Sequence, residues 1–198
     1  MPRTPTSRNP LPPIAIVVSR YNESVTAHLR DGAVRAYVEA GGDATDLAIV
    51  EAPGAFEIPL VVQEATLGDV YHGVVALGCV VRGETDHDRY LADAVTKALL
   101  DIGLDSGVPI GLGVLTVNTV EQAVARSGGL DGTGDANKGH EAMRAVLGTI
   151  GALAALATTA GAGAAPGVRY ALSGAASDKV AGGRRATPRS RSGRGARK

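Results

Sequence analysis

Six residues, Gly54-Ala55-Phe56-Glu57-Ile58-Pro59, combine groups that could do chemistry at one turn. They follow the apolar run Leu47–Val50 and lead into a helical pattern from Leu60 to Leu67. Strand-to-helix turns of this kind are where α/β proteins commonly hold ligands. Pro53 and Gly54 shape the turn, Phe56 offers a flat apolar face, and Glu57 sets a carboxylate near free backbone N–H groups. The same residues also fit a plain helix start with one buried Phe and a first-turn Glu favoured by the helix dipole. A second turn, Gly83-Glu84-Thr85, joins another apolar run to another helical pattern. Its flexible Gly, free N–H groups and Thr hydroxyl suit a phosphate or other anion, or simply cap the helix. His87 follows at once, and an imidazole that titrates near neutrality suits general acid/base work. His28, His72 and His140 are scattered and read as solvated or hydrogen-bonded residues. Arg126 ends a short helical stretch, where the dipole favours a cation. Lys138 opens a helix, where the dipole disfavours one, which argues for a ligand role.

The elements that must position these groups are legible in the apolar pattern. Four runs, Ile14–Val18, Leu47–Val50, Gly73–Val80 and Ile110–Val117, read as buried strands. Val25, Leu29, Ala33 and Tyr37 recur at the spacing of one helical stripe, which Gly41-Gly42 ends. Leu91, Val95, Leu99 and Ile102 form a second stripe. Asn118 or Thr119 caps a third helix, with Glu121 and Gln122 three residues beyond, and Met143, Val146, Leu147 and Ile150 mark the last. Alternating strands and helices with continuous apolar strands predict a four-stranded parallel sheet covered on both faces. That is a three-layer α/β/α sandwich, flavodoxin-like in plan. In such a sheet Tyr21, Phe56 and His87 each lie just past a strand end and gather at one edge.

Composition narrows the class. The 198 residues fit one domain of about 14–158, preceded by a Pro-rich arm at 1–13 and followed by a tail at 159–198. With one Phe, five Tyr and no Trp, each aromatic merits scrutiny as a ligand-facing group. Cys79 is the single cysteine, so no intrachain disulfide can form, which suits a cytoplasmic location. The Pro-crowded N-terminus has no secretory apolar core, and the Ala/Gly-rich stretch from Val146 to Gly163 is a weak candidate for a membrane span. From Val168 onward nine Lys/Arg face one acid, so a zero net charge conceals an acidic body and a basic tail. The tail lacks large apolar residues after Val180 and is expected to be disordered. Non-specific nucleic-acid binding by its charge is less expected than simple solvation.

Four motifs share one order and spacing: Ser19-Arg20-Tyr21-Asn22, Pro53 to Pro59, Val80-Val81-Arg82-Gly83-Glu84-Thr85-Asp86-His87 and Asn137-Lys138-Gly139. Together they resemble the lumazine synthases, from about Ile14 to about Leu156 with no large gap. The resemblance implies condensation of 5-amino-6-(D-ribitylamino)uracil with 3,4-dihydroxy-2-butanone 4-phosphate, without metal or redox cofactor. It implies that His87 transfers protons, that Glu84, Thr85, Arg126 and Lys138 hold phosphate, and that Tyr21 stacks on the pyrimidine beside Asn22. It further implies that Ala55, Phe56 and Glu57 line the ribityl region, that Val80 and Val81 form an apolar wall, and that a neighbouring subunit supplies Leu112, Arg126 and Lys138. Members form pentamers or shells of twelve pentamers. The long, Gly-rich, acidic link from Ser127 to Asn137 and the Pro-rich arm point to an isolated pentamer. Two departures stand out: Asp88 and Arg89 follow the histidine where many members have an aromatic and an acid, and Leu112 replaces an aromatic found in some. The alternative they support is a non-catalytic flavin- or lumazine-binding or shell-forming relative.

Overall fold

The computed structural model describes residues 11–159; the expected disordered tail and most of the N-terminal arm lie outside the described residues. The sheet is parallel throughout, in the order β2-β1-β3-β4. Its strands are β1 (Ile14–Ser19), β2 (Leu47–Ala52), β3 (Gly73–Val81) and β4 (Ile110–Val117). The helices are α1 (Glu23–Glu39), α2 (Ile58–Ala65), α3 (His87–Ser106), α4 (Val120–Arg126) and α5 (Lys138–Thr159). This is the expected three-layer sandwich. Alternate residues of β1 and β3 feed two cores. Ile14, Ile16, Val75 and Leu77 pack with α1, α4 and α5, whereas Ala15, Val17, Val74 and Ala76 pack with α2 and α3. The stripe Val25, Leu29, Ala33 and Tyr37 is wholly buried, as its spacing requires.

Two expectations are corrected. β2 is not a buried strand: Ile49 and Val50 are 47% and 42% exposed, because β2 is an edge strand that the described helices only half cover. α2 begins at Ile58 rather than Leu60, since Pro59 is well suited to a helix's first turn, where no N–H is needed. α5 passes, by length and composition alone, the criterion for crossing a membrane, yet its first half carries Gly139, Ala142, Met143 and Val146 into the core. Cys79 packs as a small apolar group, and burial pushes its thiol up to about 11, so it is no nucleophile at neutral pH.

The strand order fixes the place for a ligand. The chain leaves β1 toward β2 on one side, then passes back over β1 to start β3 on the other. The direction of winding therefore reverses between β1 and β3, and a crevice opens at their carboxyl ends.

Candidate active site

Around that crevice the structure gathers the expected residues of three turns. Tyr21 and Asn22 follow β1, Ala55, Phe56 and Glu57 follow β2, and Val80 to His87 end β3 and open α3. Tyr21 is 71% exposed and Phe56 70%, and leaving such rings in water forgoes the burial that ordinarily stabilises them. Neither is a core-edge residue. Ala55 and Val80 are buried, so they form the floor of the crevice rather than its lining, and Val81 is half-buried above them. Glu57 is exposed; a Cβ on Gly54 would stand 2.9 Å from its Oε2, so that glycine makes room for the carboxylate.

Asn22 has a task that sequence reasoning missed. Its φ of 60° is left-handed, a conformation Asn tolerates better than most residues, and its Nδ2 donates to the carbonyl of Cys79 at 2.9 Å. It thus ties the turn after β1, which carries Tyr21, to the end of β3.

The helix starts divide into two groups. α4 is capped by Thr119, which accepts from Gln122 N–H while Gln122 Oε1 accepts from Asn118 N–H; α5 is capped by Asn137. α1, α2 and α3 have no side-chain cap. Those three begin at the crevice. Their first-turn N–H groups and positive dipole ends face the place a ligand would take, which suits an anion or a multiply hydroxylated group. His87 opens α3 and is exposed there.

Leu112 is not brought to this edge, and the polar contacts of Arg126 and Lys138 among the described residues are to their own helices. Leu112 pairs with Ala76 and lies five residues before the end of β4, roughly 16 Å down the strand. It is 50% exposed on the α2/α3 side of that edge strand. Arg126 ends α4, and its Nη1 donates to the carbonyl of Gln122, at 3.3 Å. Lys138 Nζ meets Glu141 Oε2 at 2.7 Å at the start of α5. A concavity of about 690 Å3 is a groove between α2 and α3 that shares Phe56 with the crevice. It is a half-open helix–helix seam rather than the site of chemistry.

One buried side chain joins Arg126 to Lys138. Asn137 is fully buried; its Nδ2 donates to the carbonyls of Ser127 (2.7 Å), His28 (2.8 Å) and Gly132 (3.3 Å). Its Oδ1 accepts from Gly139 and His140 N–H at 2.9 and 3.1 Å. A Cβ at Gly32 would stand 2.2 Å from that Oδ1, and one at Gly139 would strike the carbonyl of Leu29. The link from Ser127 to Asn137, expected to be flexible, is thereby pinned at both ends. Gly128, Gly129 and Gly132 supply positive φ values along it. The available signal was Gly32, since a glycine in mid-helix costs stability unless something must come close.

These features define a class: an open parallel α/β protein with exposed aromatic rings and free helix starts at the switch point of its sheet, suited to small molecules. Residues 12–154 match the family model of 6,7-dimethyl-8-ribityllumazine synthase. The chain is 45% identical over 136 residues to the 6,7-dimethyl-8-ribityllumazine synthase of Nitratidesulfovibrio vulgaris (strain DSM 19637 / Miyazaki F), covering 69% of this chain and 85% of that one. The chain belongs to the 6,7-dimethyl-8-ribityllumazine synthase family.

Proposed function

We propose that the chain performs its family's reaction in a site shared between neighbouring subunits. The reaction condenses 5-amino-6-(D-ribitylamino)uracil with 3,4-dihydroxy-2-butanone 4-phosphate to 6,7-dimethyl-8-ribityllumazine, releasing phosphate and water, a step of riboflavin biosynthesis. The observation that carries the reading is the convergence of three uncapped helix starts and two exposed aromatic rings on one crevice. Tyr21 and Phe56 suit the flat pyrimidine, and Glu57 suits the ribityl hydroxyls. The 5-amino group forms an imine with the ketone; phosphate elimination, tautomerisation and ring closure follow. Holding both substrates in register supplies much of the rate. His87, at the mouth of the Gly83–Thr85 turn, moves the protons. Arg126 and the turn together balance the departing phosphate. The lone, buried Cys79 supports a cytoplasmic setting. Mixing the purified chain with both substrates and following lumazine absorbance tests the function; a folded oligomer that forms no product refutes it.

His87→Ala is expected to lower turnover by on the order of 10²-fold if His87 is the sole proton-transfer group. The pH–rate profile checks the assignment. A profile unchanged by the substitution removes His87 from that role and leaves it to position substrate.

A second half of the site supplied by another copy is supported by Leu112, which lies well down its own strand, and by Arg126 and Lys138, which flank the Asn137 hub. Both sheet edges carry exposed apolar side chains, Ile49 and Val50 on β2 and Leu112 on β4. Two unlike edges favour head-to-tail contact, which closes into a ring where the rotation between neighbours permits. We propose an isolated pentamer rather than a shell of sixty. The 127–137 link is pinned, yet it projects the acidic Asp131 and Asp135, a poor surface for close contact between pentamers. Light scattering at neutral pH is expected to give a mass near five subunits; a mass near sixty refutes the pentamer, and an active monomer refutes the shared site.

A further inference from the structure

The turn read as the phosphate cradle already holds a negative group of the protein's own. Asp88, the second residue of α3, turns back so that its Oδ1 accepts from the N–H of Gly83 at 3.3 Å. It is half-buried against the turn, whereas Gly83 through His87 are exposed. On the outer side of Gly83 the space is open: a Cβ there would meet nothing within 4 Å. The turn therefore has room for an incoming group, and one of its donors is already engaged by a carboxylate. A carboxylate and a phosphate monoester seek the same N–H donors, and two negative groups at contact distance repel strongly in a partly dehydrated site. Glu84 and Asp86, on either side of Thr85, add to that repulsion.

We propose that Asp88 is an internal stand-in for the substrate phosphate. It occupies the Gly83 N–H while the site is empty, and it must leave Gly83 when the butanone phosphate enters. Its effect is to lower affinity for the phosphate-bearing substrate and for the phosphate released, with no effect on the ribitylaminouracil. The inference rests on the reading of Gly83–Thr85 as the phosphate site. A merely structural Asp88, tying the turn to α3 and complementing its dipole, would act with the opposite sign. Its removal would loosen the turn and weaken phosphate binding.

The test compares the full-length chain with Asp88→Asn and Asp88→Ala. The readouts are inhibition by inorganic phosphate and the KM of each substrate. Both variants are expected to bind inorganic phosphate and the butanone phosphate about tenfold more tightly, with the KM of the ribitylaminouracil within about twofold of the parent value. Unchanged or weaker phosphate binding in either variant overturns the proposal, and weakening confined to Asp88→Ala identifies a structural tie instead. Thr85→Val, measured alongside, separates the two layers of inference. If it weakens phosphate inhibition while the Asp88 variants do not strengthen it, the stand-in role alone falls. If it leaves phosphate inhibition untouched, the turn is not the phosphate site and both readings fall.

Discussion

Arg126→Ala is expected to raise the KM of the butanone phosphate far more than that of the ribitylaminouracil. The guanidinium is exposed at the end of α4 and, among the described residues, donates to the carbonyl of Gln122 at 3.3 Å, a bond it can exchange for a ligand at modest cost. A phosphate clamped bidentately by Arg gains charge-assisted hydrogen bonds in a site that a second subunit partly dehydrates. Their loss costs about 2–4 kcal/mol, or roughly 30- to 1,000-fold in affinity. Lysine in its place should recover only part of the loss, because an ammonium cannot make the paired contact. Separate KM measurements for the two substrates check this. Equal loss for both would mean that Arg126 supports the oligomer or the fold rather than the phosphate.

Asn137→Ala is expected to destabilise the subunit by about 3–5 kcal/mol, since several buried backbone groups would lose their partners at about 1–3 kcal/mol each. The groups concerned are the carbonyls of Ser127 and Gly132 in the link and the N–H groups of Gly139 and His140 at the start of α5. Asn137→Asp should be no rescue. Its carboxylate can still accept from α5, but it has no N–H to offer three carbonyl oxygens. Urea unfolding followed by circular dichroism checks both variants. A midpoint shift corresponding to less than about 1 kcal/mol would show that water can replace the amide, and that the hub does not hold Arg126 and Lys138 in place.

The sequence was most legible where one physical rule acts alone. Continuous apolar runs betray strands covered on both faces, and β1 and β3 are such strands. The four-residue stripe of α1 marked its buried side correctly because nothing but the core competes for that face. β2 misled because its run, Leu47 to Val50, is as apolar as a central strand, and its place at an edge depends on strand order, which local pattern does not contain. The crevice was readable as the place where Tyr21, Phe56 and His87 follow strand ends. The roles of Asn22 and Asn137 were not. Each bonds across long stretches of chain, to Cys79 and to His28, so their partners are set by tertiary structure. Asn137 stood next to the candidate ligand Lys138 and looked like part of a ligand motif. Its amide in fact serves the backbone. Leu112, Arg126 and Lys138 were assigned to a site through family resemblance, and the single subunit explains why local reasoning could not do so: Leu112 lies well down its own strand, and the polar contacts of Arg126 and Lys138 among the described residues are to their own helices.

The central claim is that one active site is built from two copies of the chain: the crevice with His87 from one, the cation pair with Arg126 from the next. Co-expressing His87→Ala chains with Arg126→Ala chains tests it most directly. In a randomly mixed head-to-tail ring about one site in four combines an intact His87 with an intact Arg126. At subsaturating butanone phosphate the mixed oligomer is expected to form lumazine at about a quarter of the parent rate, although each variant alone is nearly inactive. Mixed oligomers no more active than the average of the two variants would contradict it, because each site would then draw both residues from a single chain.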